Sequence, residues 1–166
     1  LTDSTSLSLR INTPPPAPTL ILSPDPVTST NTLTTNASSI GDADGDSITY
    51  AYAWYEDSVL TALIGSTVPS SYLDVGETWT VRVTPNDGYV DGSFTEESIT
   101  VSNSDPSITS VSITPNTSVY NDSVLTCTST ATDADETVTA TVEWTVGTAI
   151  YTGASLDLSN TATMPT

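Results

Sequence analysis

The sequence predicts an all-β protein made of consecutive two-sheet modules, and three observations carry that expectation. The chain matches itself at a shift of about 90 residues. Ile21-Leu-Ser-Pro24, Leu33-Thr-Thr, Asp42-Ala-Asp44 and Tyr52-Ala-Trp54 return as Ser112-Ile-Thr-Pro115, Leu125-Thr-Cys127, Asp133-Ala-Asp135 and Val142-Glu-Trp144. Apolar and polar residues alternate over short runs between turn residues, the period of a strand with one wet face. A hydrophobic content of 36%, with abundant Ser and Thr, suits thin sheets better than a thick core.

Taken in order, residues 1–13 read as the last strand of a preceding repeat plus the start of a linker, with Leu7, Leu9 and Ile11 pointing inward. Residues 14–103 read as one complete repeat, and 104–166 as a partial repeat lacking its final strands. Thr13-Pro-Pro-Pro-Ala-Pro18 is expected to be a stiff, extended connector that spaces the modules. Within the complete repeat, strands are expected near 19–23, 31–38, 47–56, 59–64, 67–73, 77–84 and 94–102. The third aligns Ile48, Tyr50, Tyr52 and Trp54 on one face, and the sixth sets Trp79, Val81 and Val83 against Thr80, Arg82 and Thr84. Turns are expected at Ser23-Pro-Asp-Pro26, Gly41–Gly45 and Pro85-Asn-Asp-Gly88.

About seven short strands in about 90 residues, with a core Trp on the third, is the immunoglobulin-like pattern. The expected fold class is therefore tandem immunoglobulin-like β-sandwiches, the last incomplete, with Trp54 and Trp144 as equivalent core residues. Asp42-Ala-Asp-Gly-Asp-Ser-Ile-Thr-Tyr50, Gly76-Glu-Thr-Trp-Thr-Val-Arg-Val-Thr-Pro-Asn-Asp-Gly88 and Leu125-Thr-Cys127 resemble the tandem immunoglobulin-like (PKD/cadherin-like) repeats of very large secreted or cell-surface proteins of environmental bacteria and archaea. The resemblance implies an extracellular or cell-surface setting. It defines a module type and leaves its role open, because such modules occur in adhesins, stalks, sheaths and secreted enzymes alike.

Charge narrows the chemistry. Twenty acidic residues face two arginines, with no Lys and no His, for a formal charge of −18. Nucleic acid and anionic membrane surfaces are poor partners for such a chain. Without His, a Ser–His–Asp triad cannot form, and without Lys, neither can a Lys–Asn isopeptide staple. No run approaches the roughly 18 apolar residues of a membrane span, and no signal peptide is visible at Leu1.

Three kinds of candidate site remain. Asp42, Asp44 and Asp46 alternate in one turn, where two carboxylates about 4 Å apart repel by up to about 4 kcal/mol at an effective dielectric near 20. Calcium would relieve that repulsion, and the spacing is not that of an EF-hand. In an immunoglobulin-like sandwich this loop lies beside the one carrying Asn86, Asp87 and Asp91, near Asn12 and the connector, so that calcium would clamp successive modules as in cadherin-like arrays. The second repeat offers a poorer set, Asp105, Asp133, Asp135 and Glu136. The alternative is a pair of solvated turns, where Asp and Gly are the ordinary residues.

Cys127 falls where immunoglobulin domains begin their inter-sheet disulfide. It is either paired to a cysteine outside this chain or a buried free thiol, and the matching positions of the first repeat are Thr35 and Val81. Asn36, Asn116 and Asn121 head glycosylation sequons. Tyr50, Tyr52, Tyr55 and Tyr72 could form a sugar platform, but core or rim positions fit them better, and Thr137-Val-Thr-Ala-Thr141 reads as the wet face of a sheet.

The functional expectation is an extracellular structural or adhesive module in a rod, stalk or filament. Its partners would be neighbouring repeats, copies of itself or surface polysaccharide. The alternative is a spacer or carbohydrate-binding appendage of a secreted hydrolase. If Thr166 were a true end, the open last sandwich could accept the Leu7–Leu9–Ile11 strand of a neighbouring copy. One strand cannot replace two, however, which leaves a shortfall of about 15–17 residues and favours a continuous array.

Overall fold

The computed structural model describes residues 9–160 and divides between Asn103 and Ser104 into two compact units. In unit 1 the strands are β1 (Thr19–Ser23), β2 (Val27–Thr28), β3 (Leu33–Ser38), β4 (Thr49–Glu56), β5 (Val59–Leu60), β6 (Thr67–Val68), β7 (Thr78–Asn86) and β8 (Thr95–Ser102). They form two sheets, β1-β3-β6 and β2-β8-β7-β4-β5. Every neighbouring pair is antiparallel except β2 with β8.

Alternation along β7 sets the core. Trp79, Val81 and Val83 are fully buried, and Thr80, Arg82 and Thr84 between them are half-buried. A strand's period of two sends these sets to opposite faces of the sheet. From the facing sheet come Leu33 and Val68, and Val27, Trp54, Leu73 and Val101 complete the cluster. Trp54 and Trp79 meet edge to face with ring centroids 6.4 Å apart, an arrangement aromatic quadrupoles favour. The Trp54 indole N–H donates to the Gly65 carbonyl at 2.8 Å, so this large side chain is buried without an orphaned donor.

Unit 2 contains β9 (Ser107–Thr114), β10 (Val124–Thr132), β11 (Glu143–Val146), β12 (Ala149–Thr152) and β13 (Ser155–Asp157). Its sheets are β13-β10-β9 and the hairpin β11-β12, around a small core of Trp144, Leu156 and Leu158.

Several local arrangements occur in both units. Leu33 pairs with Val68 on β3–β6 as Leu125 pairs with Leu156 on β10–β13. The Thr35 amide donates to the Ser66 carbonyl at 2.8 Å, and the Cys127 amide to the Ala154 carbonyl at 2.8 Å. The Trp144 indole reaches the Gly153 carbonyl at 2.8 Å, as Trp54 reaches Gly65. Trp54 and Trp144 each precede a two-residue hairpin turn, Asp57-Ser58 and Gly147-Thr148, in which Asp57, Ser58 and Gly147 have positive φ.

The structure corrects several sequence expectations. Leu9 and Ile11 are 85% and 78% exposed and lie outside any strand, and no sheet of the described residues receives them; Leu7 lies outside the described residues. The strand expected over 59–64 is only Val59–Leu60. The one expected over 67–73 ends at Val68 and passes into a 3-10 turn at Ser70–Tyr72. Pro85 is no turn residue: it is buried within β7, opposite Tyr50, with the turn following at Asp87. The short strand β2 went unforeseen because its two residues carry no readable period. Residues 137–141 belong to no strand. The proline segment is more than a spacer, because Pro15 and Pro18 are buried, and a Cβ on Gly92 would collide with the Pro15 carbonyl.

One core atom is out of place. The Thr35 hydroxyl is buried without a hydrogen-bond partner in a residue only 6% exposed. An orphaned buried hydroxyl costs about 1–3 kcal/mol, and valine has nearly the same shape. Thr35→Val is therefore expected to stabilise unit 1 by about 1 kcal/mol in denaturant unfolding, and an equal loss would mean that the hydroxyl is satisfied.

Candidate functional site

The chemistry-bearing side chains of unit 1 gather where residues 10–13 meet the β3–β4 and β7–β8 loops. Gly45, at φ +81, lets the first of these loops fold back so that the Asp44 and Asp46 amides both point at Asp42 Oδ1, at 2.8 and 3.3 Å. These are Asx turns, the ordinary use of Asp in a tight loop. Asp44 Oδ2 accepts the Thr13 amide at 2.6 Å. Asp46 is ion-paired with Arg10, whose guanidinium also donates to the Tyr89 hydroxyl at 2.9 Å and lies 4.4 Å from that ring's centre.

Asp87 is 4% exposed and fully engaged. Its Oδ1 accepts the Tyr89 and Val90 amides at 2.8 Å each, and its Oδ2 accepts Asn12 Nδ2 at 2.7 Å. Burial pulls this carboxyl upward, but the bonds from the Val90 amide, Asn12 and the Tyr89 amide outweigh it and hold the group below its ordinary value of 3.8. Asn86 Nδ2 donates to Asp91 Oδ1 at 2.7 Å on the exposed side of the same loop.

The structure thus brings Asn12, Asp42, Asp44, Asp46 and Asp87 into one linked set, with Asn86 and Asp91 as a neighbouring pair. It does not converge them on a point. Among the described residues no three acidic or Cys side chains come together as a metal-binding group. Each carboxylate has been given an N–H donor instead. Two buried oxygens, Asn12 Oδ1 and Asp42 Oδ2, lack any hydrogen-bond partner. They are the only fit to a cation that the set retains, and they would need water to complete calcium's six to eight ligands.

Unit 2 has a reduced version. The Asp135 and Glu136 amides donate to Asp133 Oδ1 at 2.8 and 3.2 Å, and the Ser104 amide donates to Asp135 Oδ2 at 2.6 Å. That last bond mirrors Thr13 to Asp44, and Asp133 Oδ2 is orphaned as Asp42 Oδ2 is. Asp105 and the Glu136 side chain are exposed.

Sequence reasoning missed Arg10 and Tyr89 as members of the pole. The signal was present: in a chain with two cations among 20 acids, each arginine is expected to find a carboxylate. Arg82 does the same on the sheet face, pairing with Glu96 at 2.8 Å beneath Phe94. A second acidic gathering also went unnoticed, at the far end of β4. There burial and the Glu77 carboxylate, with smaller contributions from Asp57 and Asp74, push Glu56 above its usual range.

Compared with known proteins, the chain matches no family model and no curated sequence.

The remaining candidates are dispersed. Tyr50 and Tyr52 pack against the core, Tyr55 lies 5.5 Å from the Arg82 guanidinium, and Tyr72 is exposed, so the four make no common platform. Asn36, Asn116 and Asn121 are all exposed. Cys127 is half-buried and, as the chain's one cysteine, has no partner within it. No helix of the described residues is long and apolar enough to cross a membrane.

The Asp87 network generates a pH prediction. A carboxyl whose folded pKa is depressed stabilises above its unfolded pKa of about 3.9 and loses that contribution as pH falls through the lower folded value. Asp87→Asn should lower the melting temperature at pH 7 and flatten the fall in stability below about pH 4. An unchanged acid limb in thermal melts from pH 7 to 2 would remove the network from the account.

Proposed function

We propose that this chain works as an extracellular structural or adhesive module, its immunoglobulin-like sandwiches stacked into a rod, stalk or filament, and that it is not an enzyme. The observation that carries the reading is the recurrence of one set of contacts in two units: the strand pairing around Leu33 and Leu125, the indole–glycine bonds of Trp54 and Trp144, and the amide–carboxylate bonds of Thr13 and Ser104. Repeating a module gains reach, and each copy needs only to fold and join the next. The acidic surface keeps such an array soluble in salty, cation-rich surroundings, where charges are screened within about 10 Å.

Calcium belongs to this proposal as a weak, water-completed ligand of Asn12 Oδ1 and Asp42 Oδ2, since Arg10 and backbone amides already serve the other carboxylates. Glycans on Asn36, Asn116 or Asn121, and a disulfide from Cys127 to a cysteine outside this chain, are further parts of the reading. Neighbouring repeats or other copies are the expected partners.

Negative-stain microscopy of the native material tests the role. The expected image is a thread with an axial repeat of roughly 35–45 Å, the length of stacked seven-stranded sandwiches. Compact particles carrying hydrolase activity would contradict it and favour a spacer or carbohydrate-binding appendage. In the same sample, calcium should raise the melting temperature by a few degrees at most relative to chelator.

A further inference from the structure

The outward face of the β4-β7-β8 ladder in unit 1 carries a side-chain cluster that neither the core nor the acidic pole uses. Period-two alternation puts Thr80 and Arg82 of β7 on that face. They lie opposite Ser98 and Glu96 of β8 on one side, and opposite Tyr55 and Ala53 of β4 on the other. Tyr55, Ser58, Thr80, Arg82, Glu96 and Ser98 line an open groove of about 400 Å³. Small residues leave the face low at both ends, where Ala51 pairs with Thr84 and Thr78 with Thr100.

At the centre the Arg82 guanidinium is fixed from three sides. It lies 4.4 Å from the Phe94 ring centre and 5.5 Å from that of Tyr55, and its Nε donates to Glu96 Oε1 at 2.8 Å. Stacking on rings holds a planar guanidinium without consuming its edge donors. Among the described residues, the two terminal amino groups of Arg82 and Oε2 of Glu96 make no hydrogen bond. A fixed set of donors thus sits beside a free carboxylate acceptor, with the Thr80 and Ser98 hydroxyls, 2.9 Å apart, next along the strands. Phe94 is the chain's one phenylalanine, yet it is 51% exposed. Ser58 holds φ 72 in a turn where glycine is the unstrained residue. Matched through Trp54 and Trp144, the place of Tyr55 in unit 2 is taken by Thr145, so the cluster is not a general property of the module.

These features select a ligand. Aromatic rings offer apolar contact to the C–H face of a sugar, and adjacent donors and acceptors match neighbouring hydroxyls, each of which does both. The ion pair makes the groove locally neutral, so a neutral ligand enters without leaving a charge unpaired. An anion would meet a chain of formal charge −18 whose nearby arginine is already paired. A cation would have to displace Arg82 from Glu96. Six lining residues also fall well short of the roughly 20–30 a side of a stable protein–protein interface.

We propose that this face binds a linear, neutral polysaccharide. Phe94 and Tyr55 pack against its sugar rings, the terminal amino groups of Arg82 donate to hydroxyls, and Glu96 Oε2 accepts from one. The inference stands on the geometry of unit 1 alone and goes beyond the proposed function: threads without binding, or binding without threads, would separate the two.

The test titrates the full chain with cellohexaose, xylohexaose and mannohexaose, followed by amide shifts in two-dimensional NMR, with polygalacturonate as the anionic control. At least one neutral hexasaccharide should bind with a Kd of about 1 mM or tighter. It should shift the amides of Tyr55, Ser58, Thr80, Arg82 and Ser98 and leave those of the Asp42 and Asp87 loops in place. Phe94→Ala and Arg82→Ala should each weaken that binding at least about tenfold. Phe94 and the Arg82–Glu96 pair lie at the surface, so the melting temperature should stay within a few degrees. Arg82→Lys keeps the charge but loses the planar fork, and should weaken binding to a similar extent. No shift with any of the three sugars at about tenfold that Kd would overturn the proposal, as would binding that survives both Phe94→Ala and Arg82→Ala. Tighter binding of polygalacturonate would also overturn it, because the ligand would then be an acidic polymer. So would self-association abolished by Phe94→Ala, because the occupant would then be a second copy.

Discussion

Unit 1 depends on one strand. β7 lies between β4 and β8, is laddered to both, and sends Trp79, Val81 and Val83 into the only large core of the described residues. Its pairing gives β4 its full eight residues, and its indole supports Trp54. β8, held in turn by β7, gives Val27 its cover and β2 its ladder. Each buried aliphatic side chain contributes about 1.5–3 kcal/mol, so the alternation along this strand accounts for a large part of the unit's stability. The small cluster of Trp144, Leu156 and Leu158 in unit 2 has no equivalent resource among the described residues.

The electrostatic problem of the chain is solved locally. With 20 carboxylates and two arginines, ion pairing cannot neutralise the molecule. The loops instead turn backbone amides toward carboxylates, as at Asp42, Asp44, Asp87 and Asp133. Such bonds to a charged acceptor are stronger than neutral ones and need no counter-ion. Arg10 is placed where three loop aspartates meet the entering chain, and it supplies a fixed positive charge that a bound cation would otherwise provide. The acidic pole is thereby a joint between a chain segment and two loops before it is anything else.

Much of this was legible in the residues. The alternation of β7 and the burial of Trp54 follow from period-two patterning, whereas the nearness of Asn12 to Asp87 was expected only from the loop order of an immunoglobulin-like sandwich. The lengths of β5 and β6 were not legible, because a strand ends where its partner ends, and partners are long-range. Residues 139–142 show the same limit more sharply: Val138, Ala140 and Val142 alternate as a strand should, but no ladder forms without a neighbour. At the acidic pole, composition located the carboxylates. Their backbone donors were hidden, since amides leave no trace in a sequence, and the scarcity of cations was the one signal that pointed to Arg10.

Hydrogen exchange resolved by residue tests the dependence on β7 most directly. The amides of β4 that bond to β7 should be protected to nearly the full unfolding free energy of unit 1, while those of 139–142 should exchange within orders of magnitude of an unstructured chain. Equal, strong protection of both stretches in the isolated chain would contradict the account, because unit 2 would then hold its strand without the partner that unit 1 requires.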